Sequence, residues 1–239
     1  MSNNRTVILH YHLFKNAGTS VDFILKSNFA DLWATREFPV SGSNNTAMVE
    51  DWIRDSPDTI AFSSHTMVGP LPQVDGVRVV SFLLLRDPIN RIRSAYRFER
   101  QQTADTWGAK LAKEHDFEGY VRARLARSGD RQCRNFQAHR LSTLMPGPGT
   151  ELQRALSALK VLTIVGSVET FDETLSQLQC ELAAIFPKFA LRRVQANETK
   201  SSSDTMSDEV LDLLRAANQD DLQVCAAVDA MTQKEMCRE

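Results

Sequence analysis

Apolar positions along the chain follow two alternating rhythms. Val7–Phe14 mixes β-branched, aromatic and histidine residues and predicts a strand. Ser20–Asn28, with Val21, Ile24 and Leu25 at helical spacing, predicts the helix that follows. Asn44–Arg54 reads as a short helix and Thr59–Ser63 as a second strand, and Pro70 and Pro72 mark a loop. Val77–Leu85 is a near-continuous apolar run, the pattern of a central strand buried on both faces. It stops at Arg86-Asp87-Pro88, where Asp87 suits a helix cap and Pro88 the first turn of a helix over 88–102. Further helices are predicted over Phe117–Ala126, Cys133–Leu141, Leu152–Leu159 and Phe171–Phe186, with a strand at Val161–Val165. Residues 192–204 form a polar stretch, and 207–236 carries one or two closing helices.

Strands alternating with helices predict an α/β fold, a mostly parallel sheet covered by helices, in a single domain over 1–239. In such sheets ligands sit at the carboxyl ends of the strands. Three chemistry-bearing places each follow a predicted strand: Lys15–Ser20, His65 and Arg86. That coincidence points to one shared pocket.

Composition sharpens this picture in one respect. The 239 residues are 42% hydrophobic and 24% charged with a net charge of -2, ordinary for a globular protein. Residues 86–140, however, hold 13 Lys and Arg against 7 Asp and Glu. Arginine binds phosphate and sulfate through a planar fork of donors, so a basic centre in a near-neutral chain suits a small anion or an anionic substrate. Nucleic acid fits less well, because the chain as a whole is not basic. The four cysteines show no CxxC spacing and read as reduced, structural thiols. No signal peptide and no run of about 20 apolar residues is evident, so a cytoplasmic protein without a membrane span is expected.

Lys15-Asn16-Ala17-Gly18-Thr19-Ser20 links a strand to a helix. Small residues let the backbone approach a ligand, and the helix head offers free N–H groups and the positive end of its dipole. Lys15 adds a charge, and Thr19 and Ser20 add hydroxyls. The loop is built for phosphate or sulfate, although an ordinary strand-to-helix turn reads similarly. It is not a Walker A loop, because Lys15 precedes the single glycine. The second place, Arg86 to Ser94, offers a guanidinium fork and a hydroxyl for another anion, with Arg91 on the face of Ser94. His10 and His12 are expected to alternate across the first strand, with at most one turned toward a ligand.

Together the two segments resemble the cofactor signature of PAPS-dependent sulfotransferases, in which P-K-[ST]-[GA]-[GST]-[ST]-[ST] binds the 5′-phosphosulfate of 3′-phosphoadenosine 5′-phosphosulfate (PAPS) and R-D-P-x-x-R-x-x-S-x-Y binds its 3′-phosphate. The second pattern is complete in Arg86, Asp87, Pro88, Arg91, Ser94 and Tyr96, while Phe14 and Asn16 depart from the first. Order and spacing are most similar to the heparan sulfate 2-O-sulfotransferase-like branch and its bacterial relatives. The resemblance implies a P-loop nucleotide-kinase-like three-layer fold with no metal. It also implies sulfuryl transfer to an acceptor hydroxyl of a carbohydrate, with Lys15 catalytic and the loop Lys15, Asn16, Ala17, Gly18, Thr19 and Ser20 holding PAPS together with Arg86 and Ser94. It places a histidine base after an early strand in a Y-H-x-H-x context, where this chain reads Phe62-Ser63-Ser64-His65-Thr66, so His65 matches the second histidine and Ser63 replaces the first. Arg193, Asn197 and Lys200 fall in the segment that closes over the nucleotide, and Asn135 either faces the acceptor or holds its helix. Two other readings remain open on the residues alone: an ATP-dependent phosphotransferase, and a nucleotide-binding module without catalysis.

Overall fold

Five parallel strands form the centre of the structure, a computed structural model that describes residues 5–39, 44–191 and 206–236. The strands are β1 (Arg5–Tyr11), β2 (Trp33–Thr35), β3 (Ala61–Ser64), β4 (Val77–Leu85) and β5 (Ile164–Ser167), in the order β2-β3-β1-β4-β5. The helices are α1 (Gly18–Phe29), α2 (Thr46–Asp55), α3 (Pro88–Gln101), α4 (Trp107–Glu114), α5 (Phe117–Ala126), α6 (Phe136–Ser142), α7 (Glu151–Ala158), α8 (Phe171–Leu182), α9 (Asp208–Ala217) and α10 (Gln219–Met236). The architecture is α/β with helices on both faces, consistent with a three-layer nucleotide-kinase-like fold, and the expected mostly parallel sheet is parallel throughout.

The pleat explains how the faces are covered. Val7, Leu9 and Tyr11 of β1 join Leu83 and Leu85 of β4 against α2, α6, α7 and α10. Ile8 of β1 joins Val80, Phe82 and Leu84 of β4 against Val21, Ile24 and Leu25 of α1 and the leucines of α8. Successive side chains thus go to opposite layers, which is why Val7–Leu9 and Phe82–Leu85 are apolar at every position. Fully burying each such side chain stabilises by about 1.5–3 kcal/mol. A third cluster, around Tyr96, Tyr120 and Leu214, packs α3, α4, α5 and α9 beside the main core.

The same pleat corrects one expectation. His10 and His12 are two residues apart, so they do not alternate; both fall on the α1 side with Ile8, and both turn toward that helix. Among the described residues no helix is long and apolar enough to cross a membrane.

Candidate active site

The sheet brings three expected places to one edge, because β3, β1 and β4 are adjacent and parallel. β1 ends at Tyr11, and the chain turns through His12–Ala17 into α1. Lys15 (φ 66°) and Ala17 (φ 58°) are both left-handed, which costs a residue with a Cβ about 1–2 kcal/mol each. Left-handed residues in such a turn direct backbone N–H groups to one side, an anion-binding concavity. Ala17 caps α1 without a side-chain hydrogen bond, so the first N–H groups of the helix are left for something else. Gly18 and Thr19 supply those groups; Thr19 is exposed and Ser20 half-buried.

Arg86 follows β4, and its Nη1 donates to the carbonyl oxygen of Lys15 at 3.1 Å. The two cationic residues are therefore neighbours. Burial, and then the charge of Arg86, pulls the Lys15 ammonium below its ordinary value; burial likewise lowers Arg86 despite Glu169 and Asp87 nearby. Lys15 Nζ lies 4.6 Å from the centre of the Phe98 ring. Buried Nε of Arg86 has no hydrogen-bond partner among the described residues. An orphaned guanidinium nitrogen beside a partly desolvated lysine fits an anion, which would offset the cost of burying the two cations.

Gln137 of α6 ties the two segments together. Its Oε1 accepts from Asn16 Nδ2 at 2.7 Å and from Arg86 N at 2.8 Å, and its Nε2 donates to Arg86 O at 2.8 Å. Asn16 also donates to Leu84 O at 2.8 Å and is buried. The Asn16 amide therefore faces inward and shapes the loop, where the sequence had made it a donor to the ligand. Arg91 is corrected as well. It does not share an open face with Ser94: it is fully buried, its guanidinium donating to Gln132 and lying 4.4 Å from the Phe136 ring. Ser94 sits half-buried in α3. Asn135 holds helices: it takes a left-handed φ of 41°, its Nδ2 donates to Asp220 at 3.2 Å, and its Oδ1 accepts from Asp220 N at 3.1 Å. In return Asp221 accepts from Gln137 N at 3.2 Å and Ala138 N at 2.7 Å, so α6 and α10 cap each other. Arg193, Asn197 and Lys200 lie outside the described residues.

His65 follows β3 and is exposed, with Nδ1 2.7 Å from Glu37 Oε1. Arg140 of α6 donates to His65 O at 2.8 Å and Met67 O at 2.9 Å and so fixes this loop. The His65 ring lies against His12, 3.8 Å between centroids and tilted by 32°, and His12 stacks in turn on His10 at 5.2 Å. Asp22 of α1 spans the inner pair: Oδ1 lies 2.8 Å from His10 Nδ1 and Oδ2 2.9 Å from His12 Nδ1. Burial alone would raise the Asp22 carboxyl, but the two imidazoles outweigh it and hold the group well below the usual carboxylate range. Ser63, register partner of His10, places its Oγ 3.0 Å from His10 Nδ1.

Among the described residues, His10, His12 and Asp22 are the set whose ligand atoms come within 4.8 Å of one another, the spacing a metal ion would require. Here those atoms face each other at hydrogen-bond distance, which closes the network by itself.

Comparison with known proteins places the chain in a lineage. No family model matches it. An uncharacterized protein of Archaeoglobus fulgidus is 35% identical over 221 residues, which span 89% of this chain and 87% of the archaeal one. The chain belongs to that protein's family. The similarity extends over most of both chains.

Proposed function

We propose that this protein is a sulfotransferase that moves a sulfuryl group from PAPS to an acceptor hydroxyl. The observation that carries the reading is the 3.1 Å bond from Arg86 to the Lys15 carbonyl. It sets two anion cradles at one sheet edge, as a doubly phosphorylated nucleotide requires. Within this reading the helix head at Gly18–Thr19 and the Lys15 ammonium hold the phosphosulfate, and Arg86 with Ser94 holds the 3′-phosphate.

When bound, PAPS supplies an activated sulfuryl group on a phosphate leaving group. Lys15 places positive charge where the leaving oxygen gains its electron pair, help that grows toward the transition state. His65 takes the acceptor proton on Nε2 while Glu37 holds Nδ1 and so selects the tautomer. Arg140 keeps the His65 backbone still. The surplus of basic residues over 86–140 favours an anionic saccharide as the acceptor.

Two assays test this. Thermal-shift titration should show stabilisation by 3′,5′-ADP and none by ATP with magnesium, and labelled PAPS should release 3′,5′-ADP in an acceptor-dependent way. Lys15→Ala and His65→Ala should each slow turnover by about 10²–10⁴-fold. Stabilisation by ATP with magnesium but not by 3′,5′-ADP would replace this reading with phosphoryl transfer, and nucleotide binding without turnover on any acceptor would reduce it to a binding module.

A further inference from the structure

We infer that the cavity beside the segment joining α5 to α6 is a second ligand site, separate from the nucleotide cradles, and that it takes the carboxylate of a small hydroxylated acid. Such a site goes beyond the sulfuryl-transfer reading and holds whether or not that reading does.

The cavity has a volume of about 790 Å³, within the range of small-molecule sites, and Arg124, Arg127, Ser128, Asp130, Gln132 and Phe136 line it. Most of its wall is one stretch of chain folded back on itself. Asp130 N donates to Arg127 O at 3.0 Å, closing a turn, and Asp130 Oδ1 accepts from Gln132 N at 2.7 Å. Phe136 opens α6 one residue before Gln137, so the cavity adjoins the candidate active site, yet none of its lining residues belongs to the nucleotide cradles.

Two observations point to a ligand. First, Gln132 is only 9% exposed, and a neighbour that can only donate settles which way its amide points. Arg91 Nη1 donates to Gln132 Oε1 at 3.3 Å, and Arg91 Nη2 donates to Gln132 O. Nε2 is therefore turned away from Arg91, and it is buried without a hydrogen-bond partner among the described residues. An orphaned buried donor is rare and costs about what a lost hydrogen bond costs. Second, the guanidinium of Arg127 has no hydrogen bond or ion pair among the described residues. It is exposed and lies 4.2 Å from the centre of the Trp107 ring. Stacking uses the face of a guanidinium and leaves the N–H fork at its edge free.

The groups left over define the ligand. The carboxylates around the cavity are already engaged. Arg124 donates to Glu99 at 2.6 and 2.7 Å and to Asp130 at 2.7 Å, and Arg131 donates to both oxygens of Glu151 at 3.1 Å. Arg124 Nε is a further buried N–H without a partner. What remains open is therefore donors, together with the exposed Ser128, whose hydroxyl gives or accepts. The ligand has to bring acceptor oxygens. Charge is balanced, because Arg91, Arg124, Arg127 and Arg131 stand against Asp221, Glu99, Asp130 and Glu151. A balanced site holds its ligand through directed N–H groups and favours one negative charge over a phosphate dianion. One carboxylate oxygen on the Arg127 fork and the other on Gln132 Nε2 satisfies both. Hydroxyls elsewhere on the ligand then meet Ser128 and the polar wall, which an unsubstituted acid would leave unpaired.

Trp107 makes the test direct, because a ligand that engages Arg127 changes the surroundings of that indole. Gluconate, acetate, glucose and inorganic phosphate are titrated into the full chain at millimolar concentrations, followed by tryptophan fluorescence and by calorimetry. Gluconate should give saturable binding with a fluorescence change that is absent in Trp107→Phe, and the other three should bind about tenfold more weakly or worse. Arg127→Gln should lower gluconate affinity about tenfold with an unmoved melting curve, because the exposed guanidinium holds nothing in the fold. Arg127→Lys keeps the charge without the fork and should recover only part of the loss. Gln132→Leu should weaken gluconate by a similar factor; where that variant fails to fold, the Arg127 pair decides alone. Saturating 3′,5′-ADP should leave gluconate affinity unchanged. No saturable gluconate binding, an affinity unaltered in Arg127→Gln, acetate or phosphate bound as tightly as gluconate, or displacement of gluconate by 3′,5′-ADP would each overturn the inference. A protein that binds gluconate in this way but neither binds 3′,5′-ADP nor consumes PAPS overturns the sulfuryl-transfer reading alone and leaves this site standing.

Discussion

Replacing Gln137 by leucine removes the clasp between the loop and the end of β4 while nearly preserving volume. Four hydrogen bonds are lost: those from Asn16 Nδ2 and Arg86 N, that to Arg86 O, and a long one to Cys225 Sγ at 3.8 Å. Asn16 keeps its second acceptor, Leu84 O, and the Arg86 carbonyl keeps only a weak contact from Cys225 Sγ at 3.4 Å. The main cost is therefore Arg86 N and, in part, Arg86 O left beside an apolar side chain. At about 1–3 kcal/mol for each polar group without a partner, Gln137→Leu should destabilise the fold by about 2–4 kcal/mol. For a chain of 239 residues this corresponds to a drop in Tm of about 5–12 °C. Urea denaturation followed by circular dichroism measures it directly. Nucleotide affinity should fall further than stability alone explains, because Lys15 and Arg86 lose their common support. A loss below about 0.5 kcal/mol, the range of a surface change, would refute the idea that one buried amide joins the two cradles.

Gly18→Ala drives a methyl group into the His12 ring, which Asp22 pins in place; a destabilisation of about 1–3 kcal/mol by urea melt is expected, with weakened 3′,5′-ADP binding. The Asp22 carboxyl has a native pKa depressed below the unfolded value of about 3.9, so its contribution is present above that pH and is lost as pH falls toward the native value. The stability difference between wild type and Asp22→Asn should therefore shrink below about pH 4, as read from acid-series denaturation. Burial pushes the Cys133 thiol up to about 12 and raises Cys225 as well, whereas Cys180 is exposed. Brief alkylation followed by peptide mapping should label exposed Cys180 well before buried Cys133 or half-buried Cys225.

Local pattern carried most of the fold. Val77–Leu85 reads as a strand and is one to the residue, because its apolar run is interrupted only by Arg78 and Ser81 and stops at Arg86-Asp87-Pro88. Phe117–Ala126 and Pro88 likewise fall where spacing and capping put them. β2 escaped notice because Trp33–Thr35 is too short to show a period, and α4 lies in a stretch that no sequence signal had singled out. In the site, residues following strands were legible, since topology alone sends Lys15, His65 and Arg86 to one edge. Gln137 and Arg140 were not, because their partners lie 121 and 75 positions away, and no local pattern records such a pairing. Asn135 and Asp221 share that difficulty. His10 and His12 were misjudged in a different way: the period of a strand was at hand, and it puts residues two apart on one side.

The site is assembled from the ends of three neighbouring strands and from a helix whose contacts to them span 51 to 121 positions of the chain, with no local segment holding two of its working parts except the turn at Lys15 itself. Nucleotide binding should then switch on only when the central strand has both neighbours in register and α6 has docked. A ligand-induced signal from this protein reports completed folding, and a partly folded chain would be silent toward ligand instead of weakly responsive.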